Sequence, residues 1–281
     1  MFSNSSNSEY QCDVRGFSIG TYNLLHPFYA EKYRERVGID PATLKSNWHE
    51  RMPALGDIFQ RNLLDVYLLQ EIGEEMLQDL RPYINEYSIA YFTHPLREAQ
   101  DGVAVLLRKE RFDLVGEQSV PLLGRDTYRG RVYMVATAVW ARDLQTGLRV
   151  LLVSEHFYDK RVVEPEASLL HFLDEQAESV DAIVWGGDCN NTYNHGAPSG
   201  YICAPGRSPT RLTKPADNRA PGRGKKIDWI FCSDRYEPRR SNATQLFVAD
   251  TKKVVQATGS VPSDHFGEAV LLTPSGDRRL S

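Results

Sequence analysis

Paired cysteines are missing from this sequence. The four present, Cys12, Cys189, Cys203 and Cys232, form no C-x-x-C pair and no close framework. That excludes a disulfide scaffold and points to a reducing compartment. No apolar run approaches the roughly 18 residues that a membrane helix needs. The polar start, MFSNSSNSEYQCDVRG, lacks the apolar core of a secretory signal. Excess positive charge is absent too. A net charge of −4 and a pI near 6.0 argue against nonspecific coating of nucleic acid, though not against an enzyme that grips a few nucleotides locally. Internal repeats and a convincing linker are also lacking. These absences lead us to expect a soluble, monomeric protein of the cytoplasm or nucleus with no membrane span.

What is present suits one sizeable domain. The 281 residues are 41% hydrophobic and 25% charged, enough to bury a large core. A single domain is expected over 16–275, with tails at 1–15 and 276–281. Short runs rich in Val, Ile, Leu and aromatics read as strands: FSIGTYN, DVYLLQE, YSIAYF, GVAVLLR, RVYMVATAVWA, LRVLLVSEHF, DAIVWGGD, IDWIFCS and FGEAVLLT. ARDLQTGLRV joins two of them through a Gly-containing turn, which predicts a hairpin. Helical spacing recurs at Trp48, Met52, Leu55, Phe59 and Leu63, and again at Leu169, Phe172, Leu173 and Ala177. Pro165 sits near the start of the second helix, where its missing N–H is harmless. A shorter helix is expected over 74–82.

Residues 191–226 carry no periodicity and five prolines, with seven basic residues against the single acid Asp217. Two readings fit: a solvated surface loop, or a basic wall of Arg207, Arg211, Lys214, Arg219, Arg223, Lys225 and Lys226 facing a phosphorylated substrate. PGRGKK is not a phosphate-binding P-loop, because the spacing is wrong and no Ser or Thr follows the lysine.

Several apolar runs end in a group that can bind metal or phosphate or move a proton. FSIGTYN closes on Asn23, DVYLLQE on Glu71, LLVSEH on His156 and IVWGGD on Asp188. Strand ends along one sheet edge hold such groups on rigid elements. In VWGGDCNN, Asp188 and Asn190 lie two apart and would share a side of an extended backbone, with Cys189 pointing the other way. That stretch suits a hard metal ion or a phosphate, and equally a plain turn. Asp228 lies inside an apolar strand, where a carboxylate needs a partner, and Asp264 precedes His265 near the C-terminus. The isolated histidines His94, His171 and His195 read as surface or core filler.

The ordered series YN, QE, H, GDxN, IDxI and SDH, from Tyr22-Asn23 to Ser263-Asp264-His265, resembles the metal-dependent endonuclease/exonuclease/phosphatase family. SNWHERMPALGDIFQRNLLDVYLLQE, with Trp48 and Arg51 ahead of Glu71, is similar to its deadenylase and nocturnin branch, as are DGVAVLLRKERFDLV and PSDHFG. The resemblance implies an α/β, four-layer αββα sandwich, with two mixed sheets flanked by helices and the site at one end. It implies Glu71 as the principal Mg2+ ligand, with Asn23 and Asp264 nearby, and one or two ions that Mn2+ can replace. Asp188 resembles the group that orients or deprotonates the attacking water, and Asn190 a phosphate or metal contact. His265, held by Asp228, and His156 resemble phosphate-facing histidines. Arg211, Lys225 and Tyr158 are the expected substrate contacts.

The implied activity is a phosphodiesterase or 3'-5' exoribonuclease acting on single-stranded RNA, whose bases would stack on aromatics such as Tyr29, Tyr158 or Tyr193. The alternatives are a phosphatase of a small nucleotide or other phosphomonoester, with the basic loop as clamp, and a DNA repair phosphodiesterase. A catalytically silent binding module is a third class, and the complete acid and histidine set speaks against it. One departure from the branch is plain: PTRLTKPADNRAPGRGKK is basic and lacks aromatics where deadenylases offer base-stacking groups.

Overall fold

Alternating apolar positions build two sheets that face each other. A computed structural model of the chain describes residues 16–32, 47–95, 97–122, 134–157, 163–193, 196–203, 211–212, 224–233, 236–238, 263, 265 and 267–274. Both expected tails lie outside these residues.

The first sheet uses β1 (Phe17–Asn23), β2 (Val66–Ile72), β3 (Tyr87–Thr93), β4 (Gly102–Arg108), β13 (Tyr236–Pro238) and β14 (Glu268–Pro274), in the order β13-β14-β1-β2-β4-β3. The second uses β5 (Phe112–Leu122), β6 (Met134–Asp143), β7 (Arg149–His156), β8 (Ala182–Asp188), β9 (Tyr201–Cys203) and β12 (Asp228–Ser233), in the order β5-β6-β7-β8-β12-β9. Both sheets are mixed, since β1 runs parallel to β2 and β7 parallel to β8. A separate two-stranded ladder joins β10 (Arg211–Leu212) to β11 (Gly224–Lys225).

Three apolar layers hold this together. Phe17, Ile19, Val66, Leu68, Val105, Val150, Leu152, Val184, Ile230 and Val270 fill the space between the sheets. The residues between them in sequence face outward, as the period of a strand requires. Tyr22, Tyr67 and Leu69 meet α2 (Trp48–Arg61) and α3 (Glu74–Leu80) on one outer face. Leu151, Val153, Trp185 and Phe231 meet Leu169 and Leu173 of α4 (Val163–Gln176) on the other. Helix, sheet, sheet and helix make the four expected layers. A short α1 (Pro27–Lys32) follows the end of β1.

The helices depart from the sequence reading at their ends. Helix α2 stops at Arg61, and Leu63, expected on its buried stripe, is 44% exposed beyond it. Arg51 takes a buried place on that face instead. Ala177 lies exposed in the turn after α4. The expected 74–82 helix divides into α3 and a 3-10 turn at Arg81–Tyr83, where Pro82 falls. Strand β5 escaped notice because its exposed edge alternates poorly, with Glu117, Gln118 and Pro121 inside it. Among the described residues no helix is long and apolar enough to cross a membrane.

Candidate active site

Sheet register sets most of the site. On the second sheet, His156 of β7 pairs with Asp188 of β8, and Asp188 pairs with Asp228 of β12. Register partners on adjacent strands share a face. These three groups therefore stand in a row on the inner face, at the end where β8 stops. The glycines before Asp188 make this close fit possible. A Cβ at Gly186 would lie 2.1 Å from the Trp229 carbonyl oxygen, and one at Gly187 would lie 1.8 Å from that of Glu155. They clear room for neighbouring strands rather than for a ligand.

The first sheet delivers Asn23 and Glu71. A strict two-residue period would put Glu71 with Tyr67 and Leu69, beneath the helices. A register shift between Gln70 and Ile72 prevents this, and Glu71 adopts a φ of +53° as the extra residue. Ile72 takes the helix-facing place, and the carboxylate is aimed at the site instead. The His26 N–H donates to Glu71 Oε2 at 3.2 Å.

Asn23 ties the two sheets. Its side-chain NH2 donates to Glu71 Oε1 at 3.1 Å and to Asp188 Oδ2 at 3.0 Å, while its oxygen accepts from the Leu25 N–H at 2.9 Å. Asn23 thus bridges the two carboxylates through its nitrogen. The loop behind it is pinned by Arg51, which donates to the Leu24 and Leu25 carbonyls at 2.9 and 2.6 Å and packs over Trp48. Trp48 is anchored by its own indole N–H on Asp79 at 2.9 Å.

Two histidines face these acids. His265 Nδ1 lies 2.9 and 3.1 Å from the Asp228 oxygens, which leaves its Nε2 toward Asp188 at 3.6 Å. Ser263 orders this segment, accepting the His265 N–H and donating to the Asn23 carbonyl at 2.7 Å. His156 Nε2 is 3.5 Å from Asp188 Oδ2 and 3.9 Å from Glu71 Oε1.

Asn190 leaves the row. The backbone turns at once after Asp188, with Asn190 at a φ of +47°, and its N–H bonds back to Asp188 Oδ1 at 3.1 Å. Its side-chain nitrogen donates to the Phe157 carbonyl at 2.7 Å. The GGDCNN stretch is therefore both a turn and part of the cluster. Cys189 does point away, fully buried, with its thiol on Glu155 Oε1 at 3.0 Å. Burial pushes the Glu155 carboxyl and the Cys189 thiol well above their ordinary pKa values.

The expected substrate contacts fare differently. Asp264, Tyr158 and His195 lie outside the described residues. Arg211 and Lys225 oppose each other in the β10–β11 ladder, and their side chains are also outside the description. Lys226, counted in the basic wall, is bound to buried Glu268 and packs over Trp229, so it does not face a substrate as a spare cation. Tyr29 donates to Asp101 Oδ1 at 3.2 Å and lies under the Arg97 guanidinium. Tyr193 packs edge-on against Trp229 and Phe231. His171 is exposed, as expected.

Sequence reasoning did not single out Asp101, and it read His94 as surface or core filler; the structure buries His94 at 1% exposure. Ligand atoms of His94, Asp101 and His156 all lie within 4.8 Å of one another and are buried. The acid immediately before the GVAVLLR strand was the available signal.

The fold and this acid–histidine cluster define a class, the metal-dependent phosphoester hydrolases built on two facing mixed sheets. The chain belongs to the endonuclease/exonuclease/phosphatase family, whose model matches residues 20–265. Its structure is similar to the human nocturnin catalytic domain with bound sulfate, at 17% identity and a TM-score of 0.69 over 93% of this chain and 94% of that one. ANGEL2, a 2',3'-cyclic phosphatase in complex with adenosine-2',3'-vanadate, is similar at 16% identity and a TM-score of 0.67, covering 92% and 96%. TDP2 from D. rerio, complexed with single strand DNA product, is similar at 15% identity and a TM-score of 0.64, covering 92% and 99%. At these identities the likeness speaks for the fold. No curated protein matches the chain by sequence.

Proposed function

We propose that the site hydrolyses a phosphoester of a nucleotide or of a single-stranded RNA end, with Mg2+ as the cofactor and Mn2+ able to replace it. The observation that carries this is Glu71, turned out of its strand by a bulge to meet Asp188 across the Asn23 amide. A buried carboxylate and a partly buried one so close repel each other unless a cation or strong donors join them. Their oxygens are the donor type that a hard ion takes. Glu71 and Asp188 would hold or border that ion, with Asp264 as a further candidate ligand.

When bound, the ion supplies charge neutralisation at the phosphate oxygens. The protein's own groups do the rest. Asp188 orients a water and takes its proton as the oxygen attacks phosphorus. His265 and His156 donate to the phosphate oxygens through Nε2 as the ester P–O bond breaks, and the departing alkoxide takes a proton from water and leaves as the alcohol. Asp228 accepts the Nδ1–H and so favours the doubly protonated His265 ring, the form in which Nε2–H can also donate. Asn190, bound to Phe157, braces the turn, and its side-chain oxygen is the part left to face a ligand.

Between substrates, a specific observation favours the smaller. Tyr29 and Tyr193, two of the aromatics expected as candidates for base stacking, are occupied by packing and hydrogen bonds. The preferred substrate on this reading is a small nucleotide, with an RNA end as the second reading. Purified protein with Mg2+ should be assayed against oligo(A), mixed RNA, single-stranded DNA and NADPH. Turnover of NADPH well above that of the polymers supports the small substrate. Preference for oligo(A) reverses it.

A further inference from the structure

His94 closes the turn between β3 and β4, where its N–H donates to the Asp101 carbonyl at 2.9 Å. Its ring is 1% exposed and reaches across to the second sheet, where Nδ1 accepts the Val135 N–H at 3.2 Å. That bond settles the ring's chemistry. A nitrogen that accepts carries no proton, so in the neutral ring the proton sits on Nε2. Burial and nearby Arg97 lower the His94 pKa well below its ordinary value, so the ring is neutral.

Nε2–H is therefore a buried donor, and in this structure it makes no hydrogen bond to a described residue. Such a group costs stability unless something satisfies it. Three uses are open to it. Metal binding is excluded, because the lone pair needed for a ligand is replaced by a proton. Direct contact with substrate is excluded, because the nitrogen is sealed from solvent. What remains beside the ring is the pair formed by Asp101 and His156, one ligand atom of each of the three residues lying within 4.8 Å of the others. The His94 and His156 rings are 6.4 Å apart between centroids and tilted by 57°. Asp101 is already fixed by Arg97 Nη1 at 2.7 Å and by the Tyr29 hydroxyl, so it cannot swing to follow His156.

We propose that His94 is a positioning residue that donates its Nε2–H to the Asp101–His156 pair and holds His156 with its own Nε2 toward the phosphate. The backbone N–H of Val135 thereby sets the proton order through two imidazoles. This inference rests on the reading of His156 as a phosphate-facing group.

The test uses the full chain with Mg2+ and bis(p-nitrophenyl) phosphate. His94→Phe keeps a flat ring, somewhat larger, and removes both nitrogens, whereas His94→Gln can still accept from Val135 and donate onward. We expect His94→Phe to lower kcat roughly tenfold or more, with KM changing less, and His94→Gln to restore most of the loss. Ring-nitrogen NMR of the wild type should show His94 protonated on Nε2, with that signal moving when orthovanadate is added. Wild-type kcat in His94→Phe, or a His94 proton on Nδ1, overturns the proposal. If His94→Phe does not fold, the wild-type spectrum and the kcat of His94→Gln decide, and a Gln variant tenfold slower with an unmoved His94 signal overturns it. Absence of any Mg2+-dependent turnover in the wild type would instead defeat the hydrolytic reading, and the vanadate response would still decide for His94.

Discussion

Asp228→Asn perturbs the bond to His265 and removes one buried charge. Asp228 is buried, its two oxygens lie 2.9 and 3.1 Å from His265 Nδ1, and its strand neighbour is Asp188. Asparagine has nearly the same volume, so packing between the sheets should survive. The fold should tolerate the change, since one buried carboxylate facing another is removed. Catalysis should not. A hydrogen bond to a charged group contributes about 1.5–3 kcal/mol. If that is needed to keep Nδ1 protonated and Nε2 aimed at the phosphate, its loss lowers kcat by about tenfold to a hundredfold. KM should move less, because the remaining donors still hold the phosphate. Steady-state kinetics with bis(p-nitrophenyl) phosphate and saturating Mg2+, alongside thermal unfolding, separates the two effects. An unchanged kcat in a folded variant would assign Asp228 to structure and refute the reasoning.

Other changes should separate structure from chemistry. Cys189→Ala strips Glu155 of its thiol partner but leaves the inner face alone, so turnover should persist while urea unfolding shows a loss of about 1–3 kcal/mol. Arg51→Met leaves the Leu24 and Leu25 carbonyls without their donor in the buried loop behind Asn23; we expect a loss of about 2–5 kcal/mol by urea titration, with reduced kcat in the fraction that folds. Glu155→Gln tests the buried carboxyl through pH. Its folded pKa is raised above the ordinary value of 4.5, so its contribution is complete below that value and is lost as pH rises toward the folded pKa. The Tm difference, variant minus wild type, should therefore grow from pH 4.5 upward, and a difference that stays flat to pH 8 would contradict the assignment.

The strand ends were legible because burial and chemistry leave different marks on a sequence. Runs such as LLVSEH and IVWGGD are apolar until the sheet edge and polar at it. Their register then placed His156, Asp188 and Asp228 side by side, as the acid inside IDWIF hinted. Glu71 was legible as a group but not as a geometry. Its strand period points it under the helices, and only the bulge and the positive φ turn it out. No local residue preference announces that bulge. The surroundings of His94 were not legible for a related reason, because a single histidine after a strand carries no periodic signal. Its partners, Val135 and His156, come from strands distant in sequence. Leu63 failed in the opposite sense. It fits the helical spacing of α2, yet the helix ends before it. Asn190 shows why two-residue spacing is unsafe at a strand end, where the backbone leaves the extended conformation that the spacing assumes.

The central claim is that Glu71, brought against Asp188 by the bulge, makes hydrolysis depend on a bound divalent ion. The direct measurement is hydrolysis of bis(p-nitrophenyl) phosphate as Mg2+ is titrated into the EDTA-treated protein, for the wild type and Glu71→Gln. The wild type should be inactive in excess EDTA and recover saturably with Mg2+. Glu71→Gln should keep its thermal transition and lose activity by about a hundredfold or more at every Mg2+ concentration. Full activity in excess EDTA, or wild-type turnover in Glu71→Gln, would contradict the account.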